Sequence, residues 1–236
     1  MCISMAKKLV LLITILVVPA GLWGQGFNPR FGIFSSGSIM KGDRDFTVNG
    51  SQFRSEFVNG GKAGVRGTID LGNHWAVDAT YYFGTNNLRV TEMSTNPDVR
   101  TFGIRQHQIT ANVLRFLNGH DNRVRLFVDS GLGLSRFIPT DQAIAAAASS
   151  QFVARPAVIT SDNEFNFNVG GGIESRLTDR LGLRLGVRDI MAPIPRFGVP
   201  QTPSGPGNSS AFFPIDGLTH NIEVSIGTVI YLTSSK

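Results

Sequence analysis

The chain has 236 residues, 42% hydrophobic and only 17% charged, with a formal net charge of +5, 27 glycines and a single cysteine. So apolar a composition excludes a disordered chain, and so small a positive excess, with no Lys/Arg cluster, argues against a nucleic-acid partner. The length suits one large β domain or two small ones.

The chain opens on Lys7 and Lys8, runs through the apolar stretch Leu9 to Val18, and leaves it over Ala20, Gly21 and Gly24. A basic start, a short apolar run and a small-residue exit make a secretory signal peptide, expected over residues 1–24 with cleavage after Ala20 or near Gly24 and Gln25. The run falls short of the roughly 20 apolar residues that a membrane-spanning helix needs, although a retained anchor is the other reading. Loss of the two lysines, with no acidic residue in the segment, takes the charge from +5 to +3. Cys2 leaves too, so the remaining single domain, 25–236, is expected to hold no disulfide, cysteine nucleophile or thiolate metal site.

Segments of period-two alternation follow, each read as a strand with two unlike faces. In chain order they are Arg30 to Met40, Lys62 to Leu71, His74 to Phe83, Arg105 to Leu117, Val124 to Phe137, Phe165 to Thr178, Leu181 to Asp189 and His220 to Leu232; the first and fourth are the weakest in pattern. One face gathers Val65, Ile69, Trp75, Val77, Leu126, Val128, Leu132, Phe167, Val169, Leu183, Leu185, Val224 and Ile226, with no charge among them. The other gathers Arg66, Asp70, Asp78, Arg125, Asp129, Glu174, Arg176, Arg184, Arg188 and Glu223, with glycines and small polar residues between. Five arginines thus match five carboxylates, the balance a closed interior requires, because a buried charge is costly unless paired.

The connections alternate in length. Gly72–Asn73, Asn118 to Asn122 and Asp179–Arg180 are tight hairpin turns, whereas Lys41 to Gly61, Gly84 to Ile104, Ile138 to Glu164 and Met191 to Thr219 are long. Short turns on one side and long loops on the other are expected of an outer-membrane barrel, and an even strand number leaves both termini at the short-turn end. Strands of about 9–11 residues span the bilayer at a tilt of about 45°. The expected fold is an all-β, eight-stranded, antiparallel up-and-down transmembrane barrel, its apolar face on lipid and its charges in a narrow lumen. Trp75, Phe116 and Tyr231 near the turns, and Tyr81, Tyr82, Phe83, Phe137 and Phe165 near the long loops, read as two interfacial belts.

This pattern resembles the small eight-stranded outer-membrane barrels of the OmpA, OmpX and OmpW type and the broad outer-membrane β-barrel domain family, over essentially the whole chain beyond the signal. In the last strand, Ser225, Gly227, Ile230 and Leu232 resemble the family's C-terminal assembly signal, which implies recognition by the outer-membrane insertion machinery. Aliphatic residues stand where the family has terminal aromatics, and four residues follow Leu232. No peptidoglycan-binding domain is expected there.

His74, His107, His120 and His220 are scattered, with no metal-ligand spacing and no His-x-Ser pair of the kind a lipid A deacylase carries. Gly170 to Gly172 lies in mid-strand and is read as close packing or bending, not as a phosphate loop. Asp141 to Ser150 reads as a short helix or a mobile stretch, and Pro193 to Ser210 as irregular. The expectation is a non-enzymatic bacterial outer-membrane protein without cofactor or metal, structural, adhesive or surface-interacting through its long loops. Its partners would be outer-membrane lipid, lipopolysaccharide and a surface ligand. A narrow pore for small or hydrophobic solutes and a soluble periplasmic ligand-binding barrel are the alternatives.

Overall fold

In a computed structural model of the protein, residues 28–48, 50–95, 97–119, 122–151, 156–202, 212–214 and 216–232 are described. The expected signal peptide, residues 1–24, and His120 lie outside the described residues. The strands are β1 (Pro29–Lys41), β2 (Arg44–Val48), β3 (Ser51–Asp70), β4 (Trp75–Glu92), β5 (Val99–Phe116), β6 (Val124–Pro139), β7 (Asp162–Arg176), β8 (Leu181–Pro193) and β9 (Leu218–Tyr231). From β2 to β9 each strand pairs antiparallel with the next, and β1 pairs with both β3 and β9, so eight strands close into a barrel. The ninth, β2, adds only to the outer part of β3, with Phe46 opposite Phe53.

Closure satisfies every sheet edge within the span, the condition for a β structure to cross lipid. The hairpins joining β3 to β4, β5 to β6 and β7 to β8 are short and lie on the periplasmic side with the start of β1 and the end of β9. The first is made possible by Gly72, whose φ of +92° is one that side chains resist.

Inward and outward residues alternate as the sequence implies, and the outward ones are exposed and apolar. Val65, Trp75, Val113, Leu126, Val128, Leu132, Phe167, Val169, Leu185, Val187, Val224 and Ile226 all lie there. A soluble ligand-binding barrel would turn these residues inward, and that reading is overturned. The two aromatic belts are corrected in part. Trp75, Phe83 and Phe165 face outward, but Tyr82, Phe116, Phe137 and Tyr231 are buried inside, because proximity to a strand end does not fix which side of the pleat a residue takes.

Two of the expected long loops are largely strand. β3, β4 and β5 run well past the membrane, to 20, 18 and 18 residues. Between Val58 and Gly61 a bulge puts one extra residue into β3, and the inward phase changes from Phe53, Ser55 and Phe57 to Lys62, Gly64 and Arg66. Above that level the interior is an apolar core of Phe46, Phe53, Phe57, Leu88, Val90, Phe102, Ile104 and Phe137, roofed by Ala143, Ala147, Ile159, Phe197 and Phe213 from the loops. Part of the roof is a short helix, α1 (Asp141–Ala146), capped by the Thr140 hydroxyl, which accepts from the Ala143 amide at 3.2 Å and leads the chain inward. A π-helical turn at Ala147–Gln151 continues it.

Candidate functional site

Below the roof, the lumen is filled by three tiers of charge. Nearest the periplasm, Glu174 on β7 lies between Arg125 on β6 and Arg184 on β8, which the strand register sets directly opposite it on either side. Its Oε1 accepts from Arg125 Nη2 at 2.7 Å and from the Tyr231 hydroxyl at 3.0 Å, and Arg30 reaches it across the lumen while also pairing with Asp70. Arg125 Nη1 stands 3.6 Å from Asp70. In the middle tier Arg188 donates to Asp129 at 3.0 Å through Nε and to the Tyr82 hydroxyl at 2.8 Å, with Nη2 3.4 Å from Asp78. Asp78 also accepts from Asn112 at 2.5 Å and stands 3.5 Å from Arg66. In the upper tier Lys62 pairs with Glu223, which also accepts from Asn221 at 3.3 Å.

Glycine makes the middle tier possible. A Cβ on Gly170 would lie 2.5 Å from Arg188 Cγ, and one on Gly172 would lie 2.8 Å from the Phe127 ring. The Gly170 to Gly172 run is therefore the gap through which Arg188 crosses from β8 to Asp129 on β6.

The interior departs from the five-and-five expectation. Arg176 is half-buried at the periplasmic rim, 4.4 Å over the Tyr231 ring, and not in the tiers. Arg30 and Lys62, which the sequence reading left out, are buried inside them. Among the described residues six buried cations (Arg30, Lys62, Arg66, Arg125, Arg184, Arg188) thus meet five buried carboxylates (Asp70, Asp78, Asp129, Glu174, Glu223). Arg184 is the most loosely paired: its closest carboxylates stand at 3.6, 3.8 and 3.9 Å, and its guanidinium lies 4.0 Å over Phe127. Aromatic faces thus supplement the carboxylates, as under Arg125 on Phe116 at 4.0 Å.

Lys62 was legible, since it shares the phase of Gly64, Arg66 and Asp70; Arg30 was not, since its phase also carries Phe34 and Met40. Of the C-terminal set, Ser225 and Gly227 face inward, Ile230 faces outward, and Leu232 follows the end of β9. Among the described residues no group of three or more His, Cys, Asp or Glu is placed to hold a metal ion. His107 bonds the Tyr81 hydroxyl at 2.7 Å, and His220 bonds Asp189 at 2.8 Å.

A closed barrel with a lipid-facing apolar wall and a polar, ion-paired interior is an integral outer-membrane protein of the bacterial type. A model of the outer membrane protein beta-barrel domain matches residues 13–195, and the chain belongs to that family. Among solved structures it is similar to the outer membrane protein OprG from Pseudomonas aeruginosa, with 13% identity over 89% of this chain and 97% of that one and a TM-score of 0.57. Neisserial surface protein A matches at 11% identity over 86% and 96%, with a TM-score of 0.47. Ail, the attachment invasion locus protein of Yersinia pestis, matches at 12% identity over 87% and 99%, with a TM-score of 0.45. No curated protein matches the chain.

Proposed function

We propose that this protein is a non-enzymatic, non-conducting barrel that holds a rigid platform above the outer membrane for structural or surface-interaction roles. The observation that carries this reading is the filled lumen. The void among Arg66, Tyr82, Asp129, Arg184, Arg188 and Glu223 measures about 10 Å3, room for about one water molecule. It is closed below by Phe116, Leu114 and Phe127 and above by the apolar roof. A solute path would have to break ion pairs whose partners are buried on every side, at several kcal/mol each by order of magnitude. The outer parts of β3, β4 and β5 are paired strand around a packed core, so the surface they present is preformed.

The test is single-channel recording of the refolded full-length barrel in planar bilayers at molar salt. A quiet baseline, from protein that migrates faster unboiled than boiled in detergent electrophoresis, is the expected result. Discrete, reproducible conductance steps from that protein would overturn the closed reading in favour of the narrow pore.

A further inference from the structure

The outward wall of β5 and β6 changes character at one level. From the periplasm, β6 presents Val124, Leu126, Val128, Ser130, Leu132 and Leu134, then Arg136; β5 presents Val113, Ala111 and Ile109, then His107 and Arg105. The register puts His107 directly between Arg136 and Phe83, with Arg105 at the next outward position. The Phe83 ring lies 5.0 Å from the imidazole, and Tyr81 holds its Nδ1. At the other end of β5, Arg115 lies 5.4 Å over Trp75. The ten steps from Arg105 to Arg115, at about 3.3 Å each and a tilt of about 45°, cover about 23 Å, close to the roughly 25 Å apolar band of such barrels. Arg105, His107 and Arg136 therefore stand at the outer headgroup level.

Among the described residues no carboxylate compensates their charge. Higher on the external wall, four arginines have carboxylates: Arg54 with Asp45 at 2.7 Å, Arg89 with Glu56 at 2.6 Å, Arg100 with Asp98 at 2.5 Å and Arg196 with Asp216 at 3.6 Å. Arg105 and Arg136 have none among the described residues, and Arg136 donates only to the Ser161 hydroxyl at 3.3 Å. Asp162, opposite Phe137, is occupied by the amides of Arg196 and Phe197 at 2.7 and 3.1 Å. The outward neighbours Thr85, Asn163 and Phe165 bring no acid.

We propose that Arg105, His107 and Arg136 form a seat for a phosphate of the outer-leaflet glycolipid, the lipid A moiety of lipopolysaccharide, with Tyr81 and Phe83 against its apolar part. Two guanidiniums at a lipid boundary, without a counter-ion among the described residues, match a phosphate by charge and by forked hydrogen-bonding geometry. The site does not depend on whether the lumen conducts.

Native mass spectrometry of the refolded full-length barrel in detergent, titrated with bisphosphorylated lipid A, tests it. Lipid A is expected to be retained by the wild type, with about thirtyfold loss in the R105Q/R136Q double variant and none in R115Q. Dephosphorylated lipid A should bind about as weakly as the double variant binds the phosphorylated form. Equal retention of both lipids by the wild type overturns the proposal even if the double variant fails to fold. So does unchanged binding by a folded double variant, or saturation of the site by millimolar inorganic phosphate.

Discussion

Along β4 the inward residues pass from Asp78, Thr80 and Tyr82 within the membrane to Leu88 and Val90 above it, while the outward ones pass from Val77, Tyr81 and Phe83 to Asn87, Arg89 and Thr91. The same strand, without a break, is an inside-out protein below and an ordinary one above. Hydrocarbon outside leaves the lower wall free to be apolar and sends the polar groups inward, where they must pair with one another. Water outside reverses both choices. The two halves therefore differ in what holds them: mutual neutralisation of charge below, and burial of aromatic and aliphatic side chains above.

That difference can be broken most severely at the lower tier. Glu174→Ala removes the carboxylate shared by Arg30, Arg125 and Tyr231, and is expected to destabilise the barrel by about 3–5 kcal/mol, because the cations left behind are buried. Urea unfolding of protein refolded into lipid vesicles measures it, and a loss below about 1 kcal/mol would refute the neutralisation account.

The outer wall gives a second contrast. Leu185→Lys places a charge on the lipid face between Ile173 and Ile226 and should cost about 2–4 kcal/mol near the midplane. Gln52→Lys, exposed on the outward face of β3 above the membrane, should stay within about 0.5 kcal/mol by the same assay. Equal costs would remove the distinction between the halves.

Within the roof, Ile104→Val trims a residue that is 2% exposed and should cost about 0.5–1.5 kcal/mol. Its effect should be confined to the external half, with faster amide exchange at β2, α1 and the outer part of β3 and unchanged protection at Asp78, Asp129 and Glu174. Loss of protection throughout the span would show that the halves unfold as one unit.

The smallest effect lies on the external surface. The hydrogen bond from Arg54, with its charge, holds the Asp45 carboxyl below its ordinary value of 3.8. Since the folded value is the lower one, the pair supports the β2–β3 hairpin above pH 3.8 and ceases to do so as the pH falls through the depressed folded value. The Asp45 carboxyl carbon, followed by NMR, should titrate below the ordinary range in the wild type and return to it in R54Q.

The lower half was largely legible because one period-two pattern separated lipid-facing Val65, Leu126 and Leu185 from lumen-facing Arg66, Arg125 and Arg184. The upper half was not. Above Phe83, and below Gly61 in the numbering, the polarity of the two faces exchanges, so the alternation ends where the strands do not, and extended strand reads as loop. The bulge at 58–61 compounds this by moving the inward phase by one residue. The short helix at Asp141 was one of two readings of its sequence.

The amino-acid sequence by itself determined the class of fold, the direction each strand's two faces take within the membrane, and the side on which the short turns lie, because these follow from residue polarity and loop length alone. Only the tertiary structure decided which charges meet. Arg30 reaches Glu174 from 144 residues away, Lys62 finds Glu223, and Arg176 falls outside the tiers, because pairing across a lumen depends on closure, register and the room that Gly170 leaves. None of these is a property of a single strand.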